Sequence, residues 1–271
     1  MNQSFIDEIK KSFAPAEPFF PKSVFIGVPC HDGYVTSQWS VSVIALMGAL
    51  QDIGIQGKIK FAHNGGICLA RNELTFEFMD DHSDCLFFLD ADVCFEVDAF
   101  LRVLTSPADI AVGVYPCKSL DLAKIRALAP DQHTASAMTY PLNISHNQRN
   151  GGGEPVKIRN LIQVDQAATG FMRIKRNVIG KIENDNPNLL YFNDLNRAQY
   201  NLFSNTMEFD DQDRQRMMLI GEDYSFCRLA KKSGFDVYAD LKVELGHCGQ
   251  YEYRGNLGKS LRMIPNATLA G

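Results

Sequence analysis

No stretch of this sequence approaches the ~18 consecutive apolar residues that a membrane-crossing helix needs, so no transmembrane segment is expected. Met1 to Lys11 intersperses charged with apolar residues and lacks the apolar block of a signal peptide. Cys-x-x-Cys pairs are missing too. The seven cysteines (Cys30, Cys68, Cys85, Cys94, Cys117, Cys227 and Cys248) are odd in number and scattered. Most have apolar neighbours, where a free cysteine behaves as a small hydrophobe. That disfavours a disulfide framework and a zinc knuckle, and points to a reducing, cytoplasmic compartment. Without a secretory route, the sequons at Asn143 and Asn266 carry little meaning. Lys and Arg form no run that could track a phosphate backbone, and the net charge is -5. This balance argues against nucleic acid as an obligatory partner. Internal repeats and a clear domain boundary are also missing.

What is present is an ordinary globular composition. The 271 residues are 45% hydrophobic and 22% charged, enough for a sizeable core in one large α/β domain. Residues 24–28 are a β-branched apolar run stopped by Pro29, which predicts a buried first strand and then a loop. Residues 39–50 place apolar side chains at helical spacing ahead of Gly54, a helix stop. A second strand is expected over 58–62, a turn at Asn64-Gly65-Gly66 and a second helix over 69–79. Residues 85–89 are five apolar residues closed by Asp90, which predicts a central parallel strand buried on both faces. Asp98 is a candidate cap for a helix through Leu104, and 109–114 reads as a further strand. Strands alternating with helices in this way predict a doubly wound α/β sheet. The second half is less regular. Residues 116–155 predict a long loop ending in Asn150-Gly151-Gly152-Gly153. Residues 161–164, 170–174, 237–238 and 243–245 read as strands, and 222–233 as a helix ended by Gly234.

Asp90 and Asp92 carry the strongest chemical signal. In extended backbone, positions i and i+2 point the same way, so the two carboxylates share a face while Ala91 points away. They close the expected central strand, at the end where open α/β sheets bind ligands. A hard divalent cation there would relieve their repulsion and dock a diphosphate. Asp is also common after strands as a plain loop or cap residue. Glu222 and Asp223 open a helix, whose dipole favours acids in its first turn with or without a function. His247, between Gly246 and Cys248-Gly249, is a candidate metal ligand, although a lone histidine is more often structural or solvated.

Taken in order, these elements resemble the GT-A class of metal-dependent, Asp-x-Asp glycosyltransferases: a buried strand ending in Asp90-Ala91-Asp92, then Ala168-Thr169-Gly170-Phe171-Met172, then Gly221-Glu222-Asp223, then the Gly-flanked His247. The resemblance runs from about residue 24 to 247. It implies a single GT-A-like (Rossmann-like) α/β domain with a mixed, mostly parallel central sheet flanked by helices. Residues 22–115 would be the nucleotide-sugar half, 116–249 the acceptor and catalytic half, and 250–271 a C-terminal tail able to serve as a lid. The implied reaction moves a sugar from a nucleotide-sugar donor (UDP- or GDP-linked) to a glycan or other hydroxyl acceptor, with Mn²⁺ or Mg²⁺ as cofactor. By the same resemblance Asp92 is the main metal ligand, Asp90 touches the ribose, the metal or both, and His247 completes the metal site. Pro29, Cys30 and His31 fall where such enzymes hold the base. Arg71 and Ala91 fall at donor-binding positions, and Gly170 lets the backbone approach the donor sugar. Asp223 is the implied general base of an inverting transfer, slightly favoured over retention, and Glu222 orients the acceptor. No acidic residue closes the second strand at Phe61-Ala62-His63-Asn64, which leaves the base open. Two rival readings are a phosphatase of the haloacid dehalogenase type, which also places Asp-x-Asp after an apolar strand, and a non-catalytic nucleotide-sugar- or carbohydrate-binding domain.

Overall fold

The computed structural model describes residues 3–63, 65–127, 138–144, 149–150, 154–155, 157–209 and 215–263. Ser23–Pro29 (β1) pairs in parallel with Gln56–Ala62 (β2) on one side and with Cys85–Leu89 (β3) on the other. All five residues of β3 are buried, which is why its sequence shows no polar alternation. β2 lies at the edge of the sheet and is mostly solvated. The helices Ser37–Ile53 (α2), Ile67–Asp80 (α3) and Val97–Leu104 (α4) pack around these strands, whereas Gln3–Phe13 (α1) buries Ile9 and Phe13 against Leu161 at the other end of the sheet. α2 begins at Thr36, whose hydroxyl accepts the Trp39 N–H, and ends at Gly54, whose φ of 75° suits a residue without Cβ.

The main sheet has eight strands in the order β2, β1, β3, Phe171–Lys175, Ile110–Val112, Val237–Asp240, Leu161–Val164 and Lys157–Ile158. Six run one way, while Phe171–Lys175 and Leu161–Val164 run the other. The alternation of strands and helices predicts parallel neighbours, yet the antiparallel Phe171–Lys175 is wedged beside β3. A doubly buried strand has the same apolar run in either direction, so periodicity cannot encode its polarity. Its one charged interior residue, Arg173, is fully buried and donates to the carbonyls of Asp109 and Ser106.

Helices cover both faces. On one, Leu74 and Phe78 of α3 pack with Val178 and Ile182 of the helix Arg176–Asp185 and Phe226 and Ala230 of the helix Glu222–Lys232. On the other, Trp39, Leu46 and Leu50 of α2 pack with Phe100 and Leu104 of α4.

A separate three-stranded sheet joins Val93–Phe95 (β4), Glu244–Cys248 and Glu252–Asn256. The expected tail therefore begins as a paired strand and continues as the helix Leu257–Met263, while 264–271 lie outside the described residues. The expected loop over 116–155 contains the helix Leu122–Ala127 and the paired Arg149–Asn150 and Glu154–Pro155; 128–137, 145–148 and 151–153 lie outside the described residues, as does Asn64. Two hairpins precede Glu222: Leu190–Phe192 with Ala198–Tyr200, and Thr206–Phe209 with Met217–Ile220. Among the described residues no helix is long and apolar enough to cross a membrane.

Candidate functional site

The site forms where the two sheets meet. Asp90 follows β3 directly, and its N–H donates to the Gly170 carbonyl at 2.9 Å. Three residues later the chain enters β4, and just before it the Asp92 carbonyl accepts the Cys248 N–H at 2.7 Å. Asp90 is thus tied to the large sheet and Asp92 to the strand that carries His247. His247 lies within the strand Glu244–Cys248, which extends past the strand expected over 243–245.

Asp90 is held by three neighbours. Arg71 Nη2 donates to Asp90 Oδ1 at 3.2 Å, and the Tyr115 hydroxyl donates to Oδ2 at 3.3 Å. Burial, with the Asp90 charge adding to it, pushes the Tyr115 phenol well above its ordinary range, so it stays a donor. Gly170 packs against the same carboxylate. A Cβ there would stand 2.5 Å from Asp90 Cγ, and nearer still to Oδ2 and the Tyr115 hydroxyl. Arg71 is only 3% exposed, and its Nε faces Glu222 Oε1 at 3.7 Å, so one guanidinium links Asp90 to the start of the helix Glu222–Lys232. Among the described residues its Nε and Nη1 have no hydrogen-bond partner, and neither has the buried Thr169 Oγ1. Buried cationic donors left unmet are costly, and such groups commonly mark the place of a ligand.

Asp92 is gripped differently. Lys118 Nζ donates to Oδ2, and His247 Nε2 lies 3.5 Å from Oδ1. Burial alone would raise the Asp92 carboxyl, but hydrogen bonds from His247 and Lys118 hold it below its usual value. His247 Nδ1 lies 2.9 Å from the Pro116 carbonyl. A carbonyl only accepts, so Nδ1 carries the proton and Nε2 is the atom presented to Asp92. A carboxylate and an imidazole nitrogen so placed are held together by a proton or by a cation between them. An outer hydrogen bond on Nδ1 is the usual support of a metal-binding histidine. Tyr115 closes the ring of contacts, its ring centre 4.8 Å from that of His247 with the two planes at 69°.

Glu222 and Asp223 open the helix on the far side of Arg71, and Gly221 caps it without a side chain. Burial, reinforced by the Glu222 charge, raises the Asp223 carboxyl, which makes it a stronger base than an exposed aspartate. Its Oδ1 accepts the Tyr224 N–H at 2.8 Å.

The loop after β1 sits apart from this cluster. Cys30 N–H donates to the Ala62 carbonyl, and the Cys30 carbonyl meets His63 Nδ1 at 3.1 Å. Pro29 is the last residue of β1, and His31 is exposed, with Asp32 3.8 Å from its Nε2. The link to the Asp-x-Asp segment is Thr36, whose N–H donates to the Ala91 carbonyl at 3.1 Å. The His63 ring stacks on Phe61, which in turn meets Trp39. The structure therefore brings Arg71, Asp90, Asp92, Gly170, Glu222, Asp223 and His247 into one connected group, with Pro29, Cys30 and His31 beyond it. Sequence reasoning passed over Tyr115 and Lys118, and quoted Thr169 within a motif without giving it a role. The first two follow the end of a strand of the main sheet, and that position alone was a usable signal.

No family model matches the chain, and no curated protein matches it. Among solved structures it is similar to A197 from STIV, at 16% identity over 84% of this chain and 85% of that one, with a TM-score of 0.42. It is similar to GalNAc-T7 with UDP, GalNAc and Mn²⁺, at 11% identity over 90% of this chain and 47% of that one, with a TM-score of 0.47. It is also similar to the inositol-1-phosphate CTP transferase from T. maritima, at 12% identity over 80% and 84%, with a TM-score of 0.36. At these values none of the three assigns a role to a residue of this chain.

Proposed function

We propose that the chain is a divalent-metal-dependent glycosyltransferase that moves a sugar from a nucleotide-sugar donor to a hydroxyl acceptor, with inversion slightly favoured. One observation carries the reading: a buried Arg71, whose Nη1 meets no hydrogen-bond partner among the described residues, stands beside an Asp-x-Asp pair whose second member faces a histidine oriented by the Pro116 carbonyl. The donor set fits a hard cation. Asp92 Oδ1 and His247 Nε2 are 3.5 Å apart, a separation that two ligands of one ion can share. Asp92 and His247 would hold Mn²⁺ or Mg²⁺, which when bound offsets charge on a departing diphosphate. Asp90, whose oxygens now meet Arg71 and Tyr115, would join them only after its carboxylate turns, since the three ligand atoms do not lie within 4.8 Å of one another. Lys118, already at Asp92, adds a second positive charge at the same place.

The remaining roles belong to the chain itself. Arg71 would offer its Nη1 to the donor, while its Nη2 and Nε fix the spacing between Asp90 and Glu222. Pro29, Cys30 and His31, with His63, form the wall for the base. Ala91 and Gly170 leave backbone within reach of the sugar. Asp223 takes the acceptor proton as general base and Glu222 orients that hydroxyl. Residues 22–115 then serve the donor and 116–249 the acceptor.

The test is a panel of UDP- and GDP-sugars, each with Mn²⁺, followed by slow donor hydrolysis and by protection against thermal unfolding. Asp92→Asn should abolish the Mn²⁺ dependence of both readouts. Equal Mn²⁺-dependent turnover in mutant and wild type would remove the basis of the metal assignment.

A further inference from the structure

The small sheet holds metal-ligating side chains that the proposed transfer site does not use. In its register Cys94 stands opposite Gly246, and Cys248 stands opposite Glu252. Each of the three strands therefore supplies one residue. The Cys248 thiol donates to Cys94 Sγ at 3.5 Å, and Cys94 Sγ lies 3.6 Å from Glu252 Oε1. All three ligand atoms lie within 4.8 Å of one another. Both cysteines are buried and Glu252 is half-buried.

Zinc binds thiolate at ~2.3 Å and carboxylate at ~2.0–2.2 Å, so a tetrahedral site separates two sulfurs by about 3.8 Å and a sulfur from an oxygen by about 3.6 Å. The Cys94–Cys248 and Cys94–Glu252 spacings meet that requirement with little movement, and the third is bounded at 4.8 Å. Gly246 provides the room, since a Cβ there would stand 3.0 Å from Glu252 Oε1 and nearer still to Cys94 Sγ. Charge also balances. Two thiolates and a carboxylate face a divalent ion, and Arg254, whose Nε pairs with Glu252, supplies the remaining positive charge.

We propose that Cys94, Cys248 and Glu252 form a second metal site, for a soft divalent cation of the zinc class, which cross-links the three strands of the small sheet. Binding breaks two S–H bonds and releases two protons to solvent. Two metal–sulfur bonds and one metal–oxygen bond form, water takes the fourth position, and no electrons are exchanged. This site is independent of the glycosyl-transfer reading.

The experiment uses the full chain, reduced and stripped with chelator, then titrated with Co²⁺ alone. One equivalent should produce the near-ultraviolet sulfur-to-cobalt charge-transfer band, which Zn²⁺ then displaces, and should raise the melting temperature. Cys94→Ser and Cys248→Ser should lose the band. Glu252→Gln, at a half-exposed position, should keep the fold and weaken Co²⁺ on the order of tenfold or more. Asp92→Asn should retain the band, since it disturbs only the other site. The proposal is overturned if the folded wild type shows no such band, if the band survives both serine variants, or if mass spectrometry finds a Cys94–Cys248 disulfide that forms equally with and without Zn²⁺.

Discussion

Gly170→Ala places one methyl group at the most crowded point of the site. The new carbon would stand 2.5 Å from Asp90 Cγ, about 1 Å or more inside ordinary carbon–carbon contact at ~3.5–4.0 Å. Asp90 has little freedom to retreat. Arg71 and Tyr115 hold its two oxygens, and its N–H is bonded to the carbonyl of Gly170 itself. The strain must pass either to the buried Arg71–Asp90–Glu222 chain or to β3. Overpacking of this kind costs about 1–3 kcal/mol. For a chain of this size that corresponds to a fall in Tm of roughly 2–5 °C. Urea unfolding gives the free energy and calorimetry the Tm. Because the carboxylate moves, affinity for Mn²⁺ and nucleotide should fall as well. Gly48→Ala is the control, since it lies inside α2 with nothing within 4 Å of an added Cβ. It should instead stabilise by about 0.5–1 kcal/mol. If Gly170→Ala unfolds within about 0.5 kcal/mol of wild type and binds metal and nucleotide equally, the packing around Asp90 does not have the role given to it.

Arg71→Met leaves Asp90 and Glu222 without a counter-charge and should cost about 3–5 kcal/mol in urea unfolding; Arg71→Lys should not restore nucleotide binding, because a point charge cannot face two carboxylates as a planar fork does. Asp223→Asn should lower turnover on the order of 10²–10⁴-fold with donor affinity nearly kept, measured by initial rates and calorimetry. The Asp223 carboxyl is raised by burial and the Glu222 charge. Wild-type turnover should therefore decline with acidification at a higher pH than an ordinary aspartate would give, as the base takes up its proton. The Asp81 carboxyl is the opposite case: burial would raise it, but hydrogen bonds from Lys58 and Ser83 outweigh that and bring it down to about 2. Its contribution to stability is complete above the unfolded value of ~3.9 and is lost as pH falls toward about 2, so Lys58→Met should flatten the melting temperature over that window.

The first half of the fold was readable because each element there carries its own punctuation. Pro29, Gly54 and Asp90 mark ends that the structure reproduces within a residue or so, and the run at 85–89 becomes β3 without change. α1 was missed because its alternation of charged and apolar residues is that of an amphipathic helix burying little beyond Ile9 and Phe13. Of the small sheet only the middle strand was legible: the run expected over 243–245 becomes Glu244–Cys248, whereas β4, three residues long, and Glu252–Asn256 show no period of their own. The hairpins before Glu222 were missed for another reason. Met207, Phe209, Met217 and Leu219 all lie exposed, so their alternation does not mark a core. The site was legible as a set of residue types near strand ends. Its wiring was not, because the pairing of Arg71 with Asp90 and of Lys118 with Asp92 depends on long-range packing.

Thr36 does two things at once. Its hydroxyl starts α2 and its N–H holds the carbonyl of Ala91. The segment from Cys30 to Thr36 is therefore a strap of set length, anchored at one end by Cys30 on β2 and at the other on the Asp-x-Asp turn. Insertions or deletions within it would pull on Ala91 and so on both flanking aspartates, whereas exchanges at the outward-facing His31, Asp32 and Tyr34 would not. Diversification of this surface is thus confined to side-chain replacement at constant length. A chimera that grafts a foreign loop here must match its residue count and keep an N–H donor at position 36, which excludes proline there.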